Sequence, residues 1–320
     1  MTRISNSWVW VIVIPLLIFG FIPFLISTPY LLHVCIMIIF YAIFSLSWGF
    51  LTFSGQLSLG HAAFLGLGCY TTAIFVKIGF PLLLAVVLAP FIALAAGLFI
   101  GCVCIRLKGW FLALATLSLT VILDPIFGSW DIAGRRGGIA IPSFFPSKEY
   151  FYFFQYYLFL IILLLTFFSL YLLLNSRLGA ALSAIRQNEL EAELAGINIV
   201  KYKLICFLIS SFYAGLAGAI FAQYVGRITP TIFGFDYSLM PALMTIVGGI
   251  YSVWGPIVGA IVIVVLTEGL KLLPLYGLHV IRIVVVGTIL ILFVLFAPKG
   301  ITPIIFNQLL RIKQFMRSNS

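Results

Sequence analysis

Apolar residues run along this chain in long blocks, not in the short alternations of a soluble domain. Runs of about 17–25 apolar residues mark helices that can cross a bilayer. Such runs fall at 8–26, 31–51, 61–77, 82–104, 110–128, 152–174, 204–225, 239–251, 255–272 and 279–297. The pattern predicts an all-α, polytopic transmembrane helical bundle of about ten spans with broken helices, the whole of 1–320 forming a single transmembrane domain. The run 239–251 is short for a full crossing, and 110–128 is interrupted by Asp124-Pro125. The first run, 8–26, follows one basic residue, Arg3, as a signal peptide would. It is long for an apolar signal region and no small-residue cleavage site closes it, so it reads as the first span.

Composition and charge sharpen this reading. The chain is 63% hydrophobic and 8% charged, with a mean hydropathy of +1.25. Its net charge of +10 fits topology anchors beside anionic lipid better than a nucleic-acid surface. Ten spans place both termini on one side. Arg3, Arg106, Lys108, Arg177, Arg186, Lys201, Lys203, Lys299, Arg311, Lys313 and Arg317 then lie inside, and Lys77, Arg135, Arg136, Lys148, Arg227, Lys271 and Arg282 outside. The bias agrees with the positive-inside rule.

Two polar, glycine-rich blocks interrupt the apolar pattern. The first, GQLSLGHAAFLGLGCYTTAI, begins at Gly55 and carries Gln56, Ser58, Gly60 and His61. Lipid tails cannot satisfy such a backbone, so protein or a water-filled route must cover it. The block 55–68 is therefore expected to be irregular and to line a pathway. The second block holds Gly248, Gly249 and Ser252, within 248–259. The spacings Gly55-x-x-Ser58-x-Gly60 and Gly249-x-x-Ser252-x-x-Gly255 are similar enough for a faint internal repeat. His61 reads either as an interhelical hydrogen-bonding residue or as a gate. Glu268 precedes Lys271 by three residues, which favours a local ion pair, and Asp124 sits near a span end where water can reach it. The five cysteines lie in apolar segments and read as small buried residues; no second Cys/His pair accompanies Cys102 and Cys104, so no metal site and no cofactor is expected. Small residues four apart, Gly97/Gly101, Ala214/Gly218 and Gly255/Gly259, mark close helix contacts within the chain or with another subunit.

Residues 175–203 form the largest inside loop, too apolar for a flexible linker and too charged to span. Arg177 to Arg186 has one apolar face, Leu178, Ala181, Leu182 and Ile185, and reads as a short helix. Asn188 is placed as an N-cap, with Glu191 three residues on as in a capping box, and Glu189 and Glu193 add favourable charge in the first turns. Gly196 is placed to end this second helix, 189–195, in a left-handed cap. Leu190 and Leu194 would share an exposed face, the form of a docking helix for a partner's groove.

At these stretches the chain resembles a known family. The blocks beginning at Gly55, Ala184 (AIRQNELEAELAGINIVKYK) and Met244 (MTIVGGIYSVWGPIVG) are similar, in order and spacing, to permease subunits of bacterial ATP-binding cassette importers for branched-chain amino acids. The likeness runs from about 40 to 300 and is to the longer of two paired permeases. It implies a multi-pass protein of the bacterial inner membrane, a second homologous permease, two cytoplasmic P-loop ATPase subunits and a periplasmic binding protein. It implies that 175–203 is the cytoplasmic coupling loop, meeting the ATPase through Arg186, Asn188, Glu189, Leu190, Glu191, Glu193, Leu194 and Gly196. The family's T-G-G-x-x-G-I loop is replaced by Ala133, Gly134, Arg135, Arg136, Gly137, Gly138 and Ile139. The two arginines add charge on the binding-protein side and leave the solute open: urea, short amides or another amino acid remain alternatives. No P-loop sequence occurs, and no set of catalytic side chains stands out, so the chain is expected to be no enzyme and to draw any ATP energy from a partner. A self-sufficient secondary transporter, needing deep coupling charges, is the alternative of another class.

Overall fold

The computed structural model describes residues 28–104, 107, 109–145 and 150–272, with Gly20, Pro23, Gly287, Thr288, Leu295 and 300–302 besides. The expected spans 8–26 and 279–297 lie almost wholly outside the described residues. So do Arg3, Arg106, Lys108, Lys148, Arg282, Lys299 and the basic tail.

The described chain is almost wholly helical. Its helices are α1 (Pro29–Thr52), α2 (His61–Lys77), α3 (Leu82–Cys104), α4 (Trp110–Ser129), α5 (Phe151–Leu174), α6 (Arg177–Gln187), α7 (Glu189–Leu194), α8 (Ile199–Val225), α9 (Phe235–Gly248) and α10 (Gly255–Leu272). Helices α1, α3, α4, α5 and α8 are long and apolar enough to cross a membrane. The chain is thus a multi-pass helical membrane bundle. Helix α3 shows Leu83, Phe91, Phe99 and Val103 on its outer face, and α5 shows Ile161, Leu165 and Phe168. Apolar surface on all sides is stable in lipid and costly in water.

Helix α1, the most buried of the five, packs against α5, α8, α9 and α10. Helices α2, α3 and α8 form a second tight cluster. Several helix contacts are close enough to require glycine. A Cβ on Gly68 would stand 2.1 Å from the Gly215 carbonyl oxygen, and one on Gly218 would stand 2.1 Å from that of Leu65. Between α9 and α10, a Cβ on Gly259 would stand 1.7 Å from the Met244 carbonyl oxygen. Gly97 and Gly101 instead make room for side chains of α8, Ser211 and then Leu204 and Phe207. The small residues at four-spacing are therefore used for packing within this chain. In lipid, where hydrophobic association is weak, such close backbone approach is what holds helices together.

At one end, the strands β1 (Ile139–Ala140) and β2 (Arg227–Ile228) pair antiparallel, Ile139 opposite Ile228. This clip ties the loop after α4 to the loop after α8. The other end carries α6 and α7.

Several expectations need correction. The block expected to be irregular over 55–68 is irregular only to Gly60: α2 starts at His61, and Gly66 and Gly68 lie inside it. Gly66 is there because the Phe233 ring occupies the space a Cβ would need, 2.2 Å away. Helix α4 runs through Pro125 to Ser129, as α3 runs through Pro90 and α9 through Pro241; each proline removes one backbone donor without ending its helix. Helix α8 begins at Ile199, five residues before the apolar run, because Asn198 caps it by accepting from the Lys201 amide at 3.0 Å. Cys69, Cys104 and Cys206 are buried, but Cys102 is exposed and Cys35 half-buried on outward faces. Asp124 is within reach of water as expected, and it also has a partner: Arg136 donates to both its carboxylate oxygens at 3.0 Å.

Candidate functional site: a broken helix and the loop beneath it

Residues 53–60 separate α1 from α2. The last turn of α1 tightens through bonds from the Phe53 and Ser54 amides to the Phe50 and Leu51 carbonyls, and Gly55 turns the chain with φ +76°. The polar residues after this turn, Gln56 and Ser58, are buried and hydrogen-bonded: Gln56 Oε1 accepts from Ser54 and Ser58 Oγ from the Gly60 amide. Gln56 is 5% exposed and Ser58 0%. The indole of Trp48 donates to the Ser58 carbonyl at 2.6 Å, and the Leu59 amide donates to Thr116 Oγ1 at 3.1 Å. Gly60 passes so close to α4 that a Cβ would stand 2.0 Å from the Thr116 carbonyl oxygen.

His61 opens α2, 1% exposed. Its Nε2 lies 3.2 Å from both Ser47 Oγ of α1 and Ser210 Oγ of α8. Ser47 donates its proton to the Phe44 carbonyl and Ser210 donates to the Ser47 carbonyl, each at 2.7 Å. Both hydroxyl oxygens are thus acceptors at the ring, which assigns the proton to Nε2. Beside it, the Ala62 amide donates to Ser238 Oγ of α9 at 3.3 Å. Hydroxyls from three helices therefore surround the start of α2.

The second break, 249–254, begins where Gly249 takes φ +125°. Gly248 and Gly249 are buried and Ser252 half-buried. Thr52 Oγ1, at the end of α1, lies 3.2 Å from the Ile250 carbonyl, so the two breaks adjoin near their starts. Ser58, Gly60 and His61 lie further on, against α4, α8 and α9, and are not gathered with Gly248, Gly249 and Ser252. The slot lined by Gly49, Phe53, Ser252 and Pro256 is only about 10 Å³, room for at most one water.

The loop 175–198 lies against both breaks. Arg186, near the end of α6, sets its guanidinium 4.2 Å from the centre of the Tyr251 ring and 6.0 Å from that of Phe53. Its backbone passes 3.7 Å from where a Gly55 Cβ would stand. Helix α7 is capped at both ends. Asn188 Oδ1 accepts from the Leu190 and Glu191 amides, at 3.0 and 3.4 Å. Glu191 does not reach back to the Asn188 backbone as a capping box would; its carboxylate accepts from the Asn188 side-chain amide at 2.6 Å. Gly196, at φ +82°, closes the other end. Its amide bonds the Glu193 carbonyl and that of Ile197 bonds Ala192, a Schellman motif. Ala192 is buried, whereas Leu190 and Leu194 are 66% and 81% exposed. Glu193 is also exposed, and Glu189 pairs with Lys203 of α8 at 2.5 Å.

Sequence reasoning missed Ser47, Ser210, Ser238 and Lys203. It also missed Gln155 and Gln223, which exchange two amide bonds of 2.8 Å between α5 and α8. For Ser47, Ser210, Gln155 and Gln223 the available signal was a polar residue inside an apolar run; Ser238 and Lys203 stand just outside theirs.

A sequence profile described as "Branched-chain amino acid transport system / permease component" matches residues 30–295. The chain belongs to this family. It is 28% identical over 289 residues to the high-affinity branched-chain amino acid transport system permease protein LivM of Salmonella typhimurium, a match covering 80% of this chain and 66% of that relative. It is 26% identical over 235 residues to the probable branched-chain amino acid transport permease protein LivM of Methanocaldococcus jannaschii, covering 69% of this chain and 68% of that one. LivH of Salmonella typhimurium, a permease protein of the same transport system, is 30% identical over 173 residues, 51% of this chain. The matched stretch thus spans a little under two thirds of the Salmonella LivM. No solved structure matches the chain.

Proposed function

We propose that this chain is a translocation-pathway subunit of an ATP-driven importer for branched-chain amino acids. It sits in a bacterial inner membrane with about ten spans, two of them the apolar runs 8–26 and 279–297. It pairs with a second, homologous permease, as the likeness to both LivM and LivH supports. Two P-loop ATPases bind on the side of 175–203, and a binding protein delivers solute on the side of the β1–β2 clip.

One observation carries the reading. Helix α7 is fixed at both caps yet presents Leu190 and Leu194 to the outside, beyond the ends of the spans. A rigid apolar knob of this kind fits a partner's groove. Above it, Gly55, Gln56, Ser58, Gly60 and His61 form one wall element of the pathway and Gly248, Gly249 and Ser252 another. Both are closed in this conformation, so transport requires them to part. Breaks at membrane depth suit this, because their backbone bonds go to side chains that can be exchanged.

The test is affinity purification of the tagged chain in mild detergent. The wild type should carry a second permease and P-loop ATPases. Leu190→Glu with Leu194→Glu should keep the permease and lose ATPase recovery by about tenfold or more. Equal ATPase recovery with the double variant would remove the docking role of α7.

A further inference from the structure

Among the described residues, Lys203 is the one Lys, Arg, Asp or Glu that is buried, at 6% exposure. Its ammonium meets Glu189 of α7 at 2.5 Å. A buried charge is costly unless paired, and for stability alone an apolar residue of the same size serves as well or better. Helix α7 packs mainly on α6 and touches α8 only lightly: Ala192 is its buried side chain, and its two leucines point outward. The ion pair therefore fixes how α7 sits on α8.

The same face of α8 gives this contact a direction. Lys203, Cys206 and Ser210 follow at i, i+3 and i+7, one stripe of the helix. Cys206 donates its thiol proton to the Phe50 carbonyl at 3.3 Å. Ser210 bonds the Ser47 carbonyl and lies against His61 Nε2. Phe50 and Ser47 are in the last turns of α1, just before the 53–60 break, and His61 is the first residue after it. The stripe that begins with Lys203 grips both edges of the broken segment.

We propose that Lys203 is a positioning residue that passes the movement of α7 along α8 to the edges of the 53–60 break. This rests on the docking role of α7 proposed above and adds the residue through which docking reaches the pathway. The test uses the complete importer, assembled with its own partner subunits and reconstituted in liposomes. The readout is the ratio of ATP hydrolysis with and without leucine-loaded binding protein, beside the recovery of the assembled complex. Lys203→Met and Glu189→Gln should each lower that ratio by about fivefold or more, and the reversal pair Lys203→Glu with Glu189→Lys should restore it to within about twofold of wild type. A purely structural role would lower assembly and leave the ratio unchanged. If Lys203→Met fails to assemble, Glu189→Gln carries the test, its side chain being 32% exposed. A wild-type ratio in that variant, or a loss that reversal does not repair, overturns the proposal. If the wild-type chain recovers no ATPase, the docking role falls first and this inference with it. If the wild type couples and the variants couple equally, only the Lys203 link is removed.

Discussion

At His61, hydroxyls from two helices meet one ring nitrogen, and that nitrogen is the donor. Removing the ring leaves two buried serine oxygens short of a partner while their own protons stay bonded. The expected cost of His61→Ala is about 1–2 kcal/mol, measured as thermal unfolding in detergent, with most of it returned by Gln, which offers one donor in the same place. A cost near zero would show that the ring only fills space. The paired arginines behave differently. Arg135 bonds Asp131 and Arg136 bonds Asp124, so the charges that distinguish this loop are each matched by a neighbouring carboxylate. With the arginine side chains 68% and 62% exposed, Arg136→Ala should change stability by less than about 1 kcal/mol. The sequence showed both arginines but not the partner of Arg136, since Asp124 is twelve residues from it and the intervening turn runs through Gly134 at φ +76°.

Helices were easier to read than the contacts between them. The two short helices of the loop and the left-handed Gly196 were legible, because a cap needs a particular residue at a particular offset. Gly66 and Gly68 misled, since glycine breaks isolated helices but is welcome where two helices touch in lipid. The same physics predicts that Gly218→Val is severe. Its side chain would meet the α2 backbone, which cannot move aside as a flexible side chain can. A loss of about 3 kcal/mol or more, or failure to fold, is expected in detergent melting, and an unchanged melting temperature would mean that α2 and α8 are further apart. Ser47 and Ser210 were illegible for a related reason. A lone polar residue in an apolar run announces that it has a partner without saying which helix supplies it.

Across the whole molecule, family membership and the multi-pass bundle agree, and the loop 175–203 stands against the two breaks that the sequence marked. Arg186 links all three, with Phe53 and Gly55 on one side and Tyr251 on the other. The long-range meeting of the breaks at Thr52 and Ile250 could not be read from spacing, because it depends on how α1, α9 and α10 pack. The central claim is that this arrangement turns a partner's ATP hydrolysis into opening of the pathway. The most direct measurement is uptake of labelled leucine into liposomes holding the chain with its sister permease and ATPases, with binding protein added on one face and ATP on the other. The account predicts concentrative uptake that needs both ATP and the binding protein. Leucine movement by this chain alone, equally fast without ATP, would contradict it.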